Sequence, residues 1–130
     1  MSSGQPPTIL VVDDDADIRV TLGELLEAEG YVVATAAHGE EALTMLRAAD
    51  QPPALILLDL MMPVMNGWQF LQVRQDDETL RRVPVAVISA SSNYKASIAG
   101  FSVEESLAKP LDFERLLTTV ERYCEARKSG

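Results

Sequence analysis

The strongest constraint on the fold is a repeated alternation between short apolar runs and longer amphipathic segments. Residues 8–12 (TILVV), 54–58 (ALILL) and 83–88 (VPVAVI) are strand-sized runs that are almost entirely apolar. Continuous runs of this kind predict strands that are buried on both faces, as in parallel sheets. Weaker strands are expected at residues 31–36 and 106–108, the latter from its place in the order. Five repeats of strand and helix predict an α/β fold whose parallel sheet is covered by helices on both faces.

The segments between the strands predict helices by the spacing of their apolar residues. One face of the first helix carries Ile18, Leu22, Leu25 and Leu26, and Gly30 is placed to end it. Further helices are expected at residues 40–49 and 66–75, with a short one at 93–100. Asp112 is expected to cap the last helix. The apolar stripe of that helix comprises Phe113, Leu116, Leu117, Val120 and Cys124.

Size and charge limit the classes of protein that need be considered. A chain of 130 residues corresponds to one domain, expected at residues 8–124 between tails at 1–7 and 125–130. The 11 basic and 20 acidic residues give a net charge of −9, which disfavours direct binding to nucleic acid or to anionic membranes. A single cysteine excludes an internal disulfide, and no apolar run approaches the length of a membrane span. We therefore expect a cytoplasmic protein.

Charged side chains follow the ends of the first and third predicted strands. Asp13, Asp14 and Asp15 follow the first strand, and Asp59 follows the third. Ligands of such sheets bind beyond the carboxyl ends of the strands. If these two strands are neighbours, Asp13, Asp14 and Asp59 converge there. The ordinary alternatives are that the acidic run caps a helix and that Asp59 is a solvated loop residue.

Three converging carboxylates require a positive counter-charge. Two carboxylates about 4 Å apart repel by roughly 4 kcal/mol at an effective dielectric constant near 20. Mg2+ is commonly held by carboxylates and water, and it would supply this charge. Lys109 and Ser89, at the ends of the fifth and fourth strands, would add a cation and a hydroxyl, although each is ordinary as a surface or turn residue. The set favours metal-assisted phosphoryl transfer onto Asp59.

Other common site motifs are absent from the sequence. The sole histidine, His38, follows the second strand, so a Ser-His-Asp or Cys-His apparatus is excluded. The chain has no C-x-x-C pair for zinc, no G-x-G-x-x-G and no Walker loop.

Several segments together carry a family resemblance. They are ILVVDDDADIR (9–19), GYVVATAAHGEEAL (30–43), LILLDLMMPVMNGWQFL (55–71), PVAVISA (84–90) and LAKPLDFERLL (107–117). Most specific is the pattern Asp-x-x-Met-Pro-x-x-x-Gly at 59–67, accompanied by the early acid pair and by Lys-Pro at 109–110. From about residue 8 to residue 123 the chain resembles the receiver domain of bacterial two-component response regulators.

The resemblance implies both a fold and a set of residue roles. The implied fold is a doubly wound, flavodoxin-like three-layer sandwich with five parallel strands in the order 2-1-3-4-5. Asp59 would be the phosphoacceptor, and Ser89 and Lys109 would contact the phosphoryl group. The implied cofactor is Mg2+, with ligands from Asp14, from Asp13 through water, from Asp59 and from the backbone carbonyl of Met61. A cis peptide bond is implied before Pro110.

The resemblance also implies partners. A sensor histidine kinase or a histidine phosphotransfer protein would donate the phosphoryl group from a phosphohistidine, and a downstream protein would recognise the product. Such a receiver assists its own phosphorylation and dephosphorylation but is not otherwise an enzyme. It would be a monomer or a phosphorylation-dependent dimer. The alternative is a pseudo-receiver that binds proteins without being phosphorylated.

One residue departs from the family pattern. Receivers carry an aromatic residue or histidine three positions before the lysine, where this chain has Ser106. A serine is too small to act as the aromatic wedge of the family, so the usual output through the fourth helix, fifth strand and fifth helix is in question. The segment between Ser89 and Lys109 is also short, which predicts either a short, mobile fourth helix or an output elsewhere in the fold.

Two further classes are compatible with this fold. A flavin-binding electron carrier needs a phosphate cradle after the first strand, where three aspartates would instead repel the flavin phosphate. In a phosphoaspartyl hydrolase an Asp-x-Asp motif follows the first strand, and residues 13–15 formally fit that spacing. The motifs at residues 59–67 and 106–110 fit receivers better.

Overall fold

Strands and helices alternate along the chain in the computed structural model, which describes residues 8–90 and 94–129. The strands are β1 (Thr8–Val12), β2 (Val32–Ala36), β3 (Leu55–Asp59), β4 (Val85–Ser89) and β5 (Glu105–Ala108). The helices are α1 (Ala16–Ala28), α2 (Gly39–Ala48), α3 (Gly67–Asp76), α4 (Tyr94–Ser97) and α5 (Phe113–Ser129). A short 3-10 turn, Leu80–Arg82, precedes β4.

The strands form one parallel sheet in the order β2-β1-β3-β4-β5, which confirms the predicted topology. β1 lies between β2 and β3, so the chain winds outward from β1 in both directions and covers both faces of the sheet. The carboxyl ends of β1 and β3 are therefore adjacent. This adjacency is the condition under which the aspartates after these strands converge.

Alternate residues of the central strands point into two separate hydrophobic cores. Leu10 and Ile56 pack with α2, α3 and the buried Ile98 of the segment after α4, whereas Ile9 and Leu57 pack with α1 and α5. Every residue of β3 and β4 is buried. Burial on both faces explains why these strands read as continuous apolar runs rather than as an alternating pattern.

The structure corrects two expectations about the helices. Leu25 was predicted to face the core with Leu22 and Leu26, but it is 39% exposed. The residues of α1 that are buried cover a narrower face of the helix than its apolar residues do. α5 continues through Ser129, into the segment 125–130 predicted as a tail. Residues 125–128 are Glu, Ala, Arg and Lys, all good helix formers, so nothing in the sequence stops the helix at 124.

Other boundaries agree with the sequence or differ by a few residues. Gly30 has a φ of +95° just after α1, the left-handed conformation expected of a glycine that ends a helix. Asp112 accepts hydrogen bonds from the backbone N–H groups of Glu114 and Arg115, as a cap of α5 should. α4 is one turn long, as the short segment predicted. The predicted N-terminal tail, 1–7, lies outside the described residues. No helix of the described chain is both long and apolar enough to span a membrane.

Candidate functional site

The acidic run after β1 divides into residues with different roles. Asp15 caps α1, since its carboxylate accepts hydrogen bonds from the N–H groups of Asp17 (2.9 Å) and Ile18 (3.3 Å). Asp13 is only 4% exposed, and its carboxylate accepts a hydrogen bond from the N–H of Asp15 at 2.9 Å. Asp14 is exposed. Helix capping thus accounts for Asp15 and leaves Asp13 and Asp14 available for a site.

Asp59 stands at the end of β3, directly before a tightly folded loop. The N–H of Gly67 donates to the carbonyl of Leu60 at 2.9 Å. A Cβ atom at Gly67 would lie 2.7 Å from the backbone oxygen of Asp59, so only glycine allows α3 to begin this close to the strand. Val64, within the loop, has a φ of +66°, a strained conformation for a β-branched residue. The loop thereby holds the first turn of α3 against Asp59.

The sheet brings the three predicted carboxylates together. Oxygen atoms of Asp13, Asp14 and Asp59 all lie within 4.8 Å of one another, as in a site for a metal ion. Lys109 approaches the same group, with its Nζ 3.5 Å from Oδ2 of Asp13 and 3.7 Å from Oδ1 of Asp59. One lysine does not balance three carboxylates. The donor set is all oxygen and carries excess negative charge, so it fits a hard divalent cation such as Mg2+.

This crowding affects the ionisation of Asp59. Its pKa is raised, first by burial and next by the neighbouring charge of Asp13, with a smaller effect of Asp14. Lys109 and a hydrogen bond from the backbone of Met61 oppose the rise in pKa without cancelling it. A bound cation would favour the ionised form of Asp59, which is the form that can act as a nucleophile.

The remaining predicted residues lie at the same edge of the sheet. Ser89 ends β4 and is 2% exposed, and its carbonyl accepts a hydrogen bond from the N–H of Lys109 at 2.9 Å. The Lys109–Pro110 peptide bond is cis, as expected. Ser106 lies in β5 opposite Val87 and is partly buried. All the predicted site residues except Ser106 therefore surround the end of the sheet near Asp59.

The sequence did not indicate two features beside the site. Nη1 of Arg19, at the end of the first turn of α1, donates to the carbonyl of Asp13 at 2.7 Å and so supports the acidic loop. Arg19 is the last residue of the segment 9–19 that carries the family resemblance, but that resemblance did not predict its contact with Asp13. Met61 is 65% exposed, although such loop methionines ordinarily pack against their surroundings.

Comparison with known proteins gives a consistent result. The family model described as the response regulator receiver domain matches residues 9–121. Response regulator PleD of Caulobacter vibrioides is 42% identical over 86% of this chain and 25% of its own length. The chain thus spans about a quarter of that relative.

Solved structures of similar chains have the same fold over nearly their whole length. Chemotaxis response regulator CheY4 of Vibrio cholerae is 30% identical, with a TM-score of 0.81 over 91% of this chain and 98% of its own. Response regulator protein TrrA of Thermotoga maritima, in complex with Mg2+ and BeF, is also 30% identical. Its TM-score is 0.79 over 90% of this chain and 98% of its own.

Proposed function

Because this chain belongs to the response regulator receiver domain family, we propose that Asp59 accepts a phosphoryl group in a Mg2+-dependent reaction. The observation that carries the proposal is the convergence of Asp13, Asp14 and Asp59 beside Lys109 at one end of the sheet. A group of carboxylates with excess negative charge, two of them buried, is costly unless it binds an ion of opposite charge. Asp59 is the only member of this trio that ends a central strand next to both Lys109 and the strand carrying Ser89.

The phosphoryl donor would be a phosphohistidine on a sensor histidine kinase or a histidine phosphotransfer protein. A carboxylate oxygen of Asp59 forms a bond to phosphorus while the P–N bond to the histidine breaks, and the imidazole nitrogen keeps the bonding electron pair. Mg2+ held at this site would supply positive charge to offset that of the phosphoryl oxygens. Lys109 pairs with one of those oxygens, and the Ser89 hydroxyl donates to another.

Asp13, Asp14, Asp59 and the backbone carbonyl of Met61 would hold the cation. The exposure of Asp14 leaves one side of the site open to water and to the donor. The protein acts as a phosphoacceptor rather than as an enzyme that turns over other substrates. We place it in the cytoplasm, with a downstream protein recognising the phosphorylated form.

Intact mass spectrometry after incubation with acetyl phosphate tests the proposal. The wild type should gain one phosphoryl group with Mg2+ and none when the cation is chelated. Asp59→Asn should gain none under either condition. Asp50→Asn is the matched control, because it makes the same change at an exposed acid outside the site and should behave as the wild type.

Two results would contradict the proposal. Equal phosphorylation of Asp59→Asn would move the acceptor to another residue. A wild-type protein that neither binds Mg2+ nor gains a phosphoryl group would be a pseudo-receiver that only binds other proteins. Mg2+ binding is measured separately by calorimetry, so a failure to bind the cation is detected independently of a failure to gain the phosphoryl group.

A further inference from the structure

Every polar atom of Asp13 has a partner. Its N–H donates to the carbonyl of Ala36, the last residue of β2, at 3.1 Å. Its Oδ1 accepts a hydrogen bond from the N–H of Asp15 at 2.9 Å, and its Oδ2 lies 3.5 Å from Nζ of Lys109. Its carbonyl oxygen accepts a hydrogen bond from Nη1 of Arg19 at 2.7 Å. Asp13 is therefore fixed in position from the end of β2, from the residue after β5 and from α1.

Asp14 is held much less firmly than its neighbour. It is exposed, and none of the hydrogen bonds or ion pairs among the described residues involves its carboxylate. The peptide group that joins it to Asp13 carries the carbonyl oxygen that Arg19 holds. A peptide group is planar, so holding its oxygen also fixes the direction in which the chain enters Asp14.

The guanidinium of Arg19 acts on the geometry of the acidic loop rather than on its charge balance. It donates to a carbonyl, and it forms no ion pair with a carboxylate of the described residues. Its backbone is fixed at the same place, because its N–H donates to the carbonyl of Asp15, the cap of α1, at 3.1 Å. As a positive charge near a cation site, Arg19 would by itself weaken the binding of a cation. Geometry and charge therefore predict opposite effects of removing it.

We propose that Arg19 is a positioning residue that orients Asp14 for Mg2+ by holding the peptide group between Asp13 and Asp14. This inference rests on the proposed function, in which these two aspartates are ligands of the cation. Mg2+ requires nearly ideal octahedral geometry, whereas Ca2+ accepts ligands over a wider range of positions. A fixed Asp14 favours the ion with the stricter geometry, so Arg19 contributes to the selectivity of the site for Mg2+ over Ca2+.

Isothermal titration calorimetry of the whole chain with Mg2+ and with Ca2+ tests the proposal. Arg19→Met removes the donor and the charge but keeps an unbranched side chain. The lost charge affects both divalent ions equally, so the ratio of the two affinities reports geometry alone. The ratio of Mg2+ affinity to Ca2+ affinity should fall about fivefold, because losing one net hydrogen bond lowers the fraction of molecules with Asp14 in place by about that factor.

A second measurement needs no cation. In the metal-free protein, the order parameter of the Asp14 amide from 15N relaxation should fall in Arg19→Met, while that of Val12 in β1 should stay unchanged. Arg19→Gln should give the same two results, because its amide is too short to reach the carbonyl of Asp13, so the test does not depend on one variant. Arg47→Met is the matched control, since it removes the same charge from an exposed position in α2 and should keep the wild-type ratio of affinities.

The outcomes distinguish failure of the positioning role from failure of the proposed function. An unchanged ratio of affinities in the Arg19 variants, or an Asp14 amide as ordered as in the wild type, would overturn the positioning role while leaving Asp59 as acceptor. Equal tightening of Mg2+ and Ca2+ binding would also overturn it, because Arg19 would then act only through its charge. A wild-type protein that binds no Mg2+ would overturn the proposed function and the role of Arg19 with it.

Discussion

Two charged clusters in this molecule differ in whether their charges are balanced by partners within the protein. At the carboxyl edge of the sheet, Lys109 faces three carboxylates whose oxygens lie within 4.8 Å of one another. Behind α3, the buried Arg74 meets the carboxylate of Glu104 at 3.2 Å and donates to the carbonyl of Val83 at 2.8 Å. The first cluster has excess negative charge. The second has one charge of each sign, and the guanidinium of Arg74 donates hydrogen bonds both to Glu104 and to backbone carbonyl groups.

The difference separates a structural cluster from a functional one. Burial lowers the pKa of Arg74, but the neighbouring Glu104 favours its charged form. At the site, burial and the charge of Asp13 both raise the pKa of Asp59, and only Lys109 and a backbone hydrogen bond oppose them. A balanced cluster needs no ligand, whereas an unbalanced one is stabilised by binding a cation.

The largest expected effect is at Arg74. Arg74→Met should lower the free energy of unfolding by about 3 kcal/mol, because it leaves Glu104 without its partner and buried carbonyl groups without donors. Urea denaturation measures the change. Arg81→Met, at an exposed position in the adjoining turn, is the control and should stay within about 0.5 kcal/mol of the wild type. A loss below about 1 kcal/mol for Arg74→Met would show that the cluster is not structural.

A smaller effect of opposite sign is expected at the site. Without divalent cations at neutral pH, Asp59→Asn should raise the free energy of unfolding by roughly 1–2 kcal/mol, since it removes one of the mutually repelling charges. Asp50→Asn, at an exposed acid, should change little. Destabilisation by Asp59→Asn would mean that the site is balanced like the Arg74 cluster.

The effect of Asp59→Asn should also depend on pH. The pKa of Asp59 is raised in the folded protein, so the native state binds this proton more tightly than the unfolded chain does. The advantage of Asp59→Asn should be complete above the raised pKa and should shrink as pH falls towards the ordinary value of 3.8. Urea denaturation of both proteins across this range checks the trend, and an advantage independent of pH would exclude Asp59 ionisation as its cause.

The smallest effect is expected from an exposed ion pair that belongs to neither cluster. Arg122 pairs with Glu105, but the Arg122 side chain is 56% exposed. Arg122→Ala should change the free energy of unfolding by less than about 1 kcal/mol, because water screens the pair. Salt titration of the unfolding midpoint, with Arg115→Ala as an exposed arginine control on the same helix, measures this contribution. A loss as large as that expected at Arg74 would show that burial is not what separates these ion pairs.

The sequence alone determined the strand positions and most of the site. β1 agrees with its prediction at both ends, because a run buried on both faces has a composition that a helix or a loop rarely shows. Asp13 and Asp14 could be assigned to one edge because they are the two residues after β1, and Asp59 because it is the last residue of β3. These are local properties of the chain, so they can be read without coordinates.

Only the tertiary structure decided which side chains meet across the fold. Arg74 bonds to Glu104 and Trp68 bonds to Ser97, although the partners are 30 and 29 residues apart in the sequence. No local sequence pattern predicts either pair. Leu25 has the same spacing as its buried neighbours but is 39% exposed. The raised pKa of Asp59 likewise depends on its burial and on Asp13 being brought close from another strand. Contact, burial and electrostatic coupling depend on distance in space, which a spacing pattern along the chain does not contain.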